Sequence, residues 1–70
     1  MNMDAIGSAM MMVFDELKND KKSKKLIQQL DEATDDATVK KGFTAAIKRL
    51  RELDKNSLAD DIEKKVRGWL

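Results

Sequence analysis

The chain has 70 residues, with 14 Lys+Arg against 13 Asp+Glu and a formal net charge of +1. A chain this short supports one small domain, and the absence of His and Cys removes the usual zinc ligands, thiol chemistry and imidazole acid–base work. The near-balanced charge argues against a strongly basic nucleic-acid binder, and no Pro with only three Gly leaves too few turn formers for a β-sandwich or barrel.

Helical periodicity accounts for nearly every apolar residue. Met3, Ile6, Met10, Val13 and Leu17 step by three or four and predict a first helix over about Met3–Lys18. Met11, Met12 and Phe14 widen its apolar face until most of the circumference is covered. Such a helix is central in its core or shared with a second chain. The stretch from Lys18 to Lys25 has no apolar face, which predicts a break rather than one merged helix. Asp20 is then placed to cap a second helix over about Lys21–Ala33, whose face is Leu26, Ile27, Leu30 and Ala33.

Thr34-Asp35-Asp36 is the next cap signal. Val39, Phe43, Ala46, Leu50 and Leu53, with Ile47 beside them, predict a third helix over about Asp36–Leu53. Gly42 lies inside it, either admitting a neighbouring helix or marking a break, at a propensity cost of about 1 kcal/mol. Asp54-Lys55-Asn56 reads as a turn, with Asn56 suited to the left-handed conformation that ends helices. Ser57 is expected to cap the last helix, with Asp60 at capping-box spacing. The face of that helix is Leu58, Ala59, Ile62, Val66, Trp69 and Leu70. A three-residue connection makes the last two helices an antiparallel hairpin.

The expected fold is therefore all-α, a small antiparallel bundle of three to four helices forming one domain over residues 1–70, with a core of about twenty-two side chains. A core this small leaves about 3–5 kcal/mol of net stability. No disulfide is available to supplement it, so self-association or a partner is the favoured supplement. No run approaches the ~18 apolar residues of a membrane span. The apolar stretch Ala5–Phe14 has no Lys or Arg before it and no small-residue cleavage site after it. It is read as mature folded sequence, and a cytoplasmic location is expected. The starting methionine favours a whole gene product.

Few residues offer chemistry. Ser23, flanked by Lys22 and Lys24, could form a Ser–Lys pair, but a solvated polar helix start explains it better. Asp31 with Asp35, Glu32 with Asp36, and Asp60/Asp61 lack the glycine turn and alternating ligands of a calcium loop. They are read as helix-terminal charges. No catalytic residue, metal site, cofactor or small-molecule substrate is assigned.

Two surfaces remain. All five methionines fall in the first twelve residues. Successive helical residues point about 100° apart, so one of Met10, Met11 and Met12 must face away from the core. Met10, Met11, Met12 and Phe14 are accordingly the expected partner interface. Trp69 is read as a lid on the bundle's end, with a partner-facing anchor as the alternative. Lys41, Lys48 and Arg51 form a basic stripe that could follow a phosphate backbone.

From Phe43 to Ile62, a Leu-rich helix, a short polar turn and a Leu-Ala-x-x-Ile helix resemble the last helical hairpin of death-fold adaptor domains, over less than a third of the chain. The overall layout resembles the small helical immunity proteins of bacteriocin producers. Both rest on generic helix-hairpin residues and assign no family. The function expected is a non-enzymatic interaction module, a small regulator, adaptor or inhibitor, that binds another protein or itself through the Met-rich first helix. The alternatives are a nucleic-acid-associated regulator using Lys41, Lys48 and Arg51, and an immunity-like bundle.

Overall fold

In a computed structural model, the backbone is described for residues 3–67 and the side chains for residues 5–67. Four α-helices follow one another: α1 Met3–Leu17, α2 Lys24–Glu32, α3 Asp36–Glu52 and α4 Asn56–Val66. A single 3₁₀ turn, Lys21–Ser23, precedes α2. The helices form a ring in which α2 packs against α1 and α3, and α4 against α3 and α1. The radius of gyration is 10.8 Å, against about 11 Å expected for a folded chain of this length. None of the described helices is long and apolar enough to cross a membrane.

The break after α1 falls where the apolar face runs out. Asp20 donates its amide to the Leu17 carbonyl at 3.0 Å, and the Asp20 carbonyl accepts the Ser23 amide at 3.0 Å. The first bond closes the end of α1. The second, with the Lys24 amide donating to the Lys21 carbonyl, makes the 3₁₀ turn and delays α2 to Lys24. The Asp20 carboxylate does not cap the helix as expected. It is taken up by the Ser23 hydroxyl and by Arg49 from α3.

The cap expected at the start of α3 is present. Asp35 is extended, and its Oδ1 accepts the Thr38 amide at 2.7 Å, satisfying one of the free donors of the first turn. That amide, then the Thr38 hydroxyl, hold the Asp35 carboxyl below its ordinary range. At the other end, Lys55 donates to the Leu50 carbonyl at 2.8 Å and Asp54 to the Arg51 carbonyl at 3.0 Å. This crossed pair is a Schellman ending. Its left-handed residue is Asp54, at φ 65°, and not Asn56. The turn closes at Lys55, so Asn56 already opens α4, and Ser57 lies inside the helix instead of capping it.

One core joins the four helices. Ile6, Ala9, Val13 and Leu17 come from α1, Leu30 from α2, Phe43, Ala46 and Leu50 from α3, and Ala59, Ile62 and Val66 from α4. Half-buried side chains, Leu26, Val39, Ile47, Leu53 and Leu58 among them, pack around it. The α3 helix runs unbroken through Gly42, so of the two readings of that glycine the close approach is the one realised. A Cβ built there would lie 2.5 Å from Leu30 Cδ2 and 2.6 Å from Leu30 Cγ. Leu30, the one fully buried residue of α2, sits in this notch.

Gly42→Ala should therefore destabilise the bundle. Helix propensity offers up to about 1 kcal/mol in the opposite direction, but forcing Leu30 out of the notch costs typically 1–3 kcal/mol. A lower urea midpoint checks this, and a raised midpoint would show that Leu30 yields freely.

Candidate functional site

The three consecutive methionines take the positions that 100° spacing demands. Met10 and Met12 are half-buried and pack on the core from either side of α1. Met11 points outward, 72% exposed, the largest exposure of any bulky apolar side chain among the described residues. Phe14, one turn on, is half-buried beside it. Of the residues expected to meet a partner, the structure thus brings Met11 and Phe14 to one open face and gives Met10 and Met12 mainly to the interior. Trp69 lies outside the described residues.

Two open hollows flank this face. Met11, Phe14, Asp15 and Lys18 line one of about 360 Å³. Phe14, Lys18, Lys24, Ile27, Gln28 and Asp31 line the other, of about 350 Å³, between α1 and α2. They share the Phe14–Lys18 ridge. The sequence assigned Ile27 wholly to the core face of α2. It is half-buried and forms part of the groove because the α1–α2 contact is sparse. Lys24, Ile27, Gln28 and Asp31 fall at i, i+3, i+4 and i+7, one stripe of α2, and that spacing was readable in advance.

Elsewhere in the bundle, a polar clamp fixes how the 3₁₀ turn meets α3. Arg49 donates Nε to Asp20 Oδ2 at 2.8 Å and Nη2 to Asp20 Oδ1 at 3.0 Å. The two side chains are 17% and 19% exposed, and the bidentate geometry is the strong form of this pair. Ser23, the one fully buried polar side chain among the described residues, donates its hydroxyl to the same Asp20 oxygen that accepts from Arg49 Nε. That explains Ser23 as a structural donor, while Lys22 and Lys24 on either side are exposed. The Arg49 guanidinium first, then the Ser23 hydroxyl, bring the Asp20 carboxyl from its ordinary 3.8 down to about 2. Nearby, Lys55 Nζ reaches Glu16 at 2.8 Å and ties the α3–α4 turn to α1.

The basic stripe is less free than its sequence suggests. Lys41 and Lys48 are exposed. Arg51, 40% exposed, donates Nη2 to Asp60 and to Glu63, each at 2.9 Å, and staples α3 to α4. Among the described residues no three His, Cys, Asp or Glu side chains gather closely enough to hold a metal ion. No family model, curated protein or solved structure matches the chain.

Two outcomes follow from these environments. In the fold Asp20 stays ionised down to about pH 2, whereas unfolded it takes up its proton near its ordinary 3.8. Stability gained through Asp20 is therefore full above that pH and is lost as pH falls toward 2. Asp20→Asn should flatten this acid limb of urea midpoint against pH without abolishing it, because Asp35 acts with the same sign. Parallel profiles for the two proteins would contradict the clamp. Separately, Met11→Lys should leave stability within about 0.5 kcal/mol, while Met12→Lys, set against the core, should cost about 1–3 kcal/mol. Equal midpoints for the two variants would contradict the placement of these side chains.

Proposed function

We propose that the chain is a non-enzymatic interaction module, a small regulator, adaptor or inhibitor, that docks another helix against the outward face of α1. The observation that carries this reading is Met11, 72% exposed beside Phe14 and an open groove floored by Phe14 and Ile27. Met is unbranched and polarizable and adapts to irregular partners. A helix laid into such a groove buries apolar surface from both sides, at roughly 25 cal/mol per Å² before the costs of association. The lysines and carboxylates around the rim would set orientation and on-rate. Both hollows are open recesses, whereas small-molecule sites enclose most of their ligand. That favours a macromolecular partner over a substrate. The alternative, phosphate binding along α3, has two exposed lysines in its favour but loses Arg51 to Asp60 and Glu63.

A photo-crosslinking amino acid at position 11 tests this in cells. It should give protein–protein adducts that persist at raised salt, because apolar burial is weakly salt-dependent and phosphate contact steeply so. The same group at position 48 should give none. Nucleic-acid adducts at position 48, or no protein adduct at position 11, would contradict the reading.

A further inference from the structure

The charges of α2 run against its own dipole. Lys24 and Lys25 occupy its first turn, just after Lys21 and Lys22, and Asp31 and Glu32 its last. There is no acid in the first turn and no base in the last. A helix is stabilised by the opposite arrangement, so the pattern disfavours α2 in isolation. No ion pair offsets it: among the described residues neither Lys24 nor Asp31 forms a salt bridge. Both line the groove, on the same stripe as Ile27 and Gln28. They lie seven positions apart, about 10 Å along the axis, and the midpoint of the stripe falls between Ile27 and Gln28.

We infer that the occupant of the groove is a second copy of this chain, docked antiparallel about a two-fold axis passing between Ile27 and Gln28. This rests on the docking-face reading above and names its partner. Charge complementarity selects this occupant. Reversing the stripe end for end sets Lys24 opposite Asp31 of the second copy, and Asp31 opposite its Lys24, with the apolar Phe14 and Ile27 along the groove and Met11 in the hollow that shares the Phe14–Lys18 ridge. An acidic partner helix would satisfy Lys24 and leave Asp31 facing like charge, and a basic helix would do the reverse. A second copy satisfies both at once, as an isologous interface must. The net charge of +1 opposes association little. The surface involved is a few residues a side, well below the roughly 20–30 of a standard interface, so the dimer is a weak and reversible one.

Sedimentation equilibrium from micromolar to millimolar concentration tests the pairing at low and moderate salt. The wild type should dimerise. Lys24→Glu and Asp31→Lys should each weaken the dimer by about tenfold or more, since each places like charges together twice across the axis. An equimolar mixture of those two variants should associate again, and so should the chain carrying both changes, because opposite charges then meet at both ends. Each single change also moves α2 toward the favourable dipole arrangement, so circular dichroism should find the variants folded and no less stable. A wild type that stays monomeric throughout overturns the self-pairing. If the wild type dimerises and Met11→Lys abolishes the dimer while the charge variants leave it untouched, the antiparallel pairing is wrong and the apolar docking face survives. If Met11→Lys also leaves the dimer intact, both readings fall.

Discussion

Four helices in a ring can each turn only one arc inward, and α1 is apolar over more than one arc. That constraint governs the molecule. Ile6, Ala9, Val13 and Leu17 take the interior of α1, Met10 and Met12 fill its flanks, and the helical repeat then carries Met11 outside. No rotation of α1 internalises all three methionines, because a turn that buries Met11 lifts one of its neighbours out. Exposed apolar surface at this end of the chain is thus a consequence of sequence spacing and helix geometry together.

The rest of the bundle holds α1 in that rotation. Leu30 seated against Gly42 brings α2 close to α3, and little of α2 remains to pack on α1. The groove beside Phe14 follows from that unequal sharing. The Asp20–Arg49 pair fixes the turn that joins α1 to α2, and Glu16–Lys55 fixes the C-terminal end of α1 to the α3–α4 turn. Arg51 with Asp60 and Glu63 closes the hairpin. These polar links gather where the C-terminal ends of α1 and α3 meet the start of α4. They leave the outward face of α1 and the stripe of α2 without intramolecular partners that would cover them.

Much of the fold was legible because its signals are local. The 4-3-4-3 spacing of Val39, Phe43, Ala46, Leu50 and Leu53, and the Asp35 cap, place α3 nearly to the residue. The outward position of one methionine of three needed only the helical repeat. Less legible were features set by distant partners. Nothing near Asp20 announces that Arg49, 29 residues away, will claim its carboxylate, and the cap expected there is lost to that pair. Asp54 takes the left-handed turn position although Asn is the better-suited residue, because the Schellman bonds set the closure at Lys55. Of the candidate site, Met11 and Phe14 were readable as surface, while the membership of Ile27, Lys24 and Asp31 depended on how far α2 opens from α1.

The central claim is that association buries the outward Met11 face of α1 together with the adjoining groove on α2. The methionine methyl groups give a direct readout, recorded by nuclear magnetic resonance on methyl-labelled protein through a concentration series. The Met11 resonance is predicted to shift and broaden as concentration rises, with Met10 and Met12, packed on the core, moving much less. A Met11 signal that stays fixed while the protein associates, or equal movement of all three, would contradict the account.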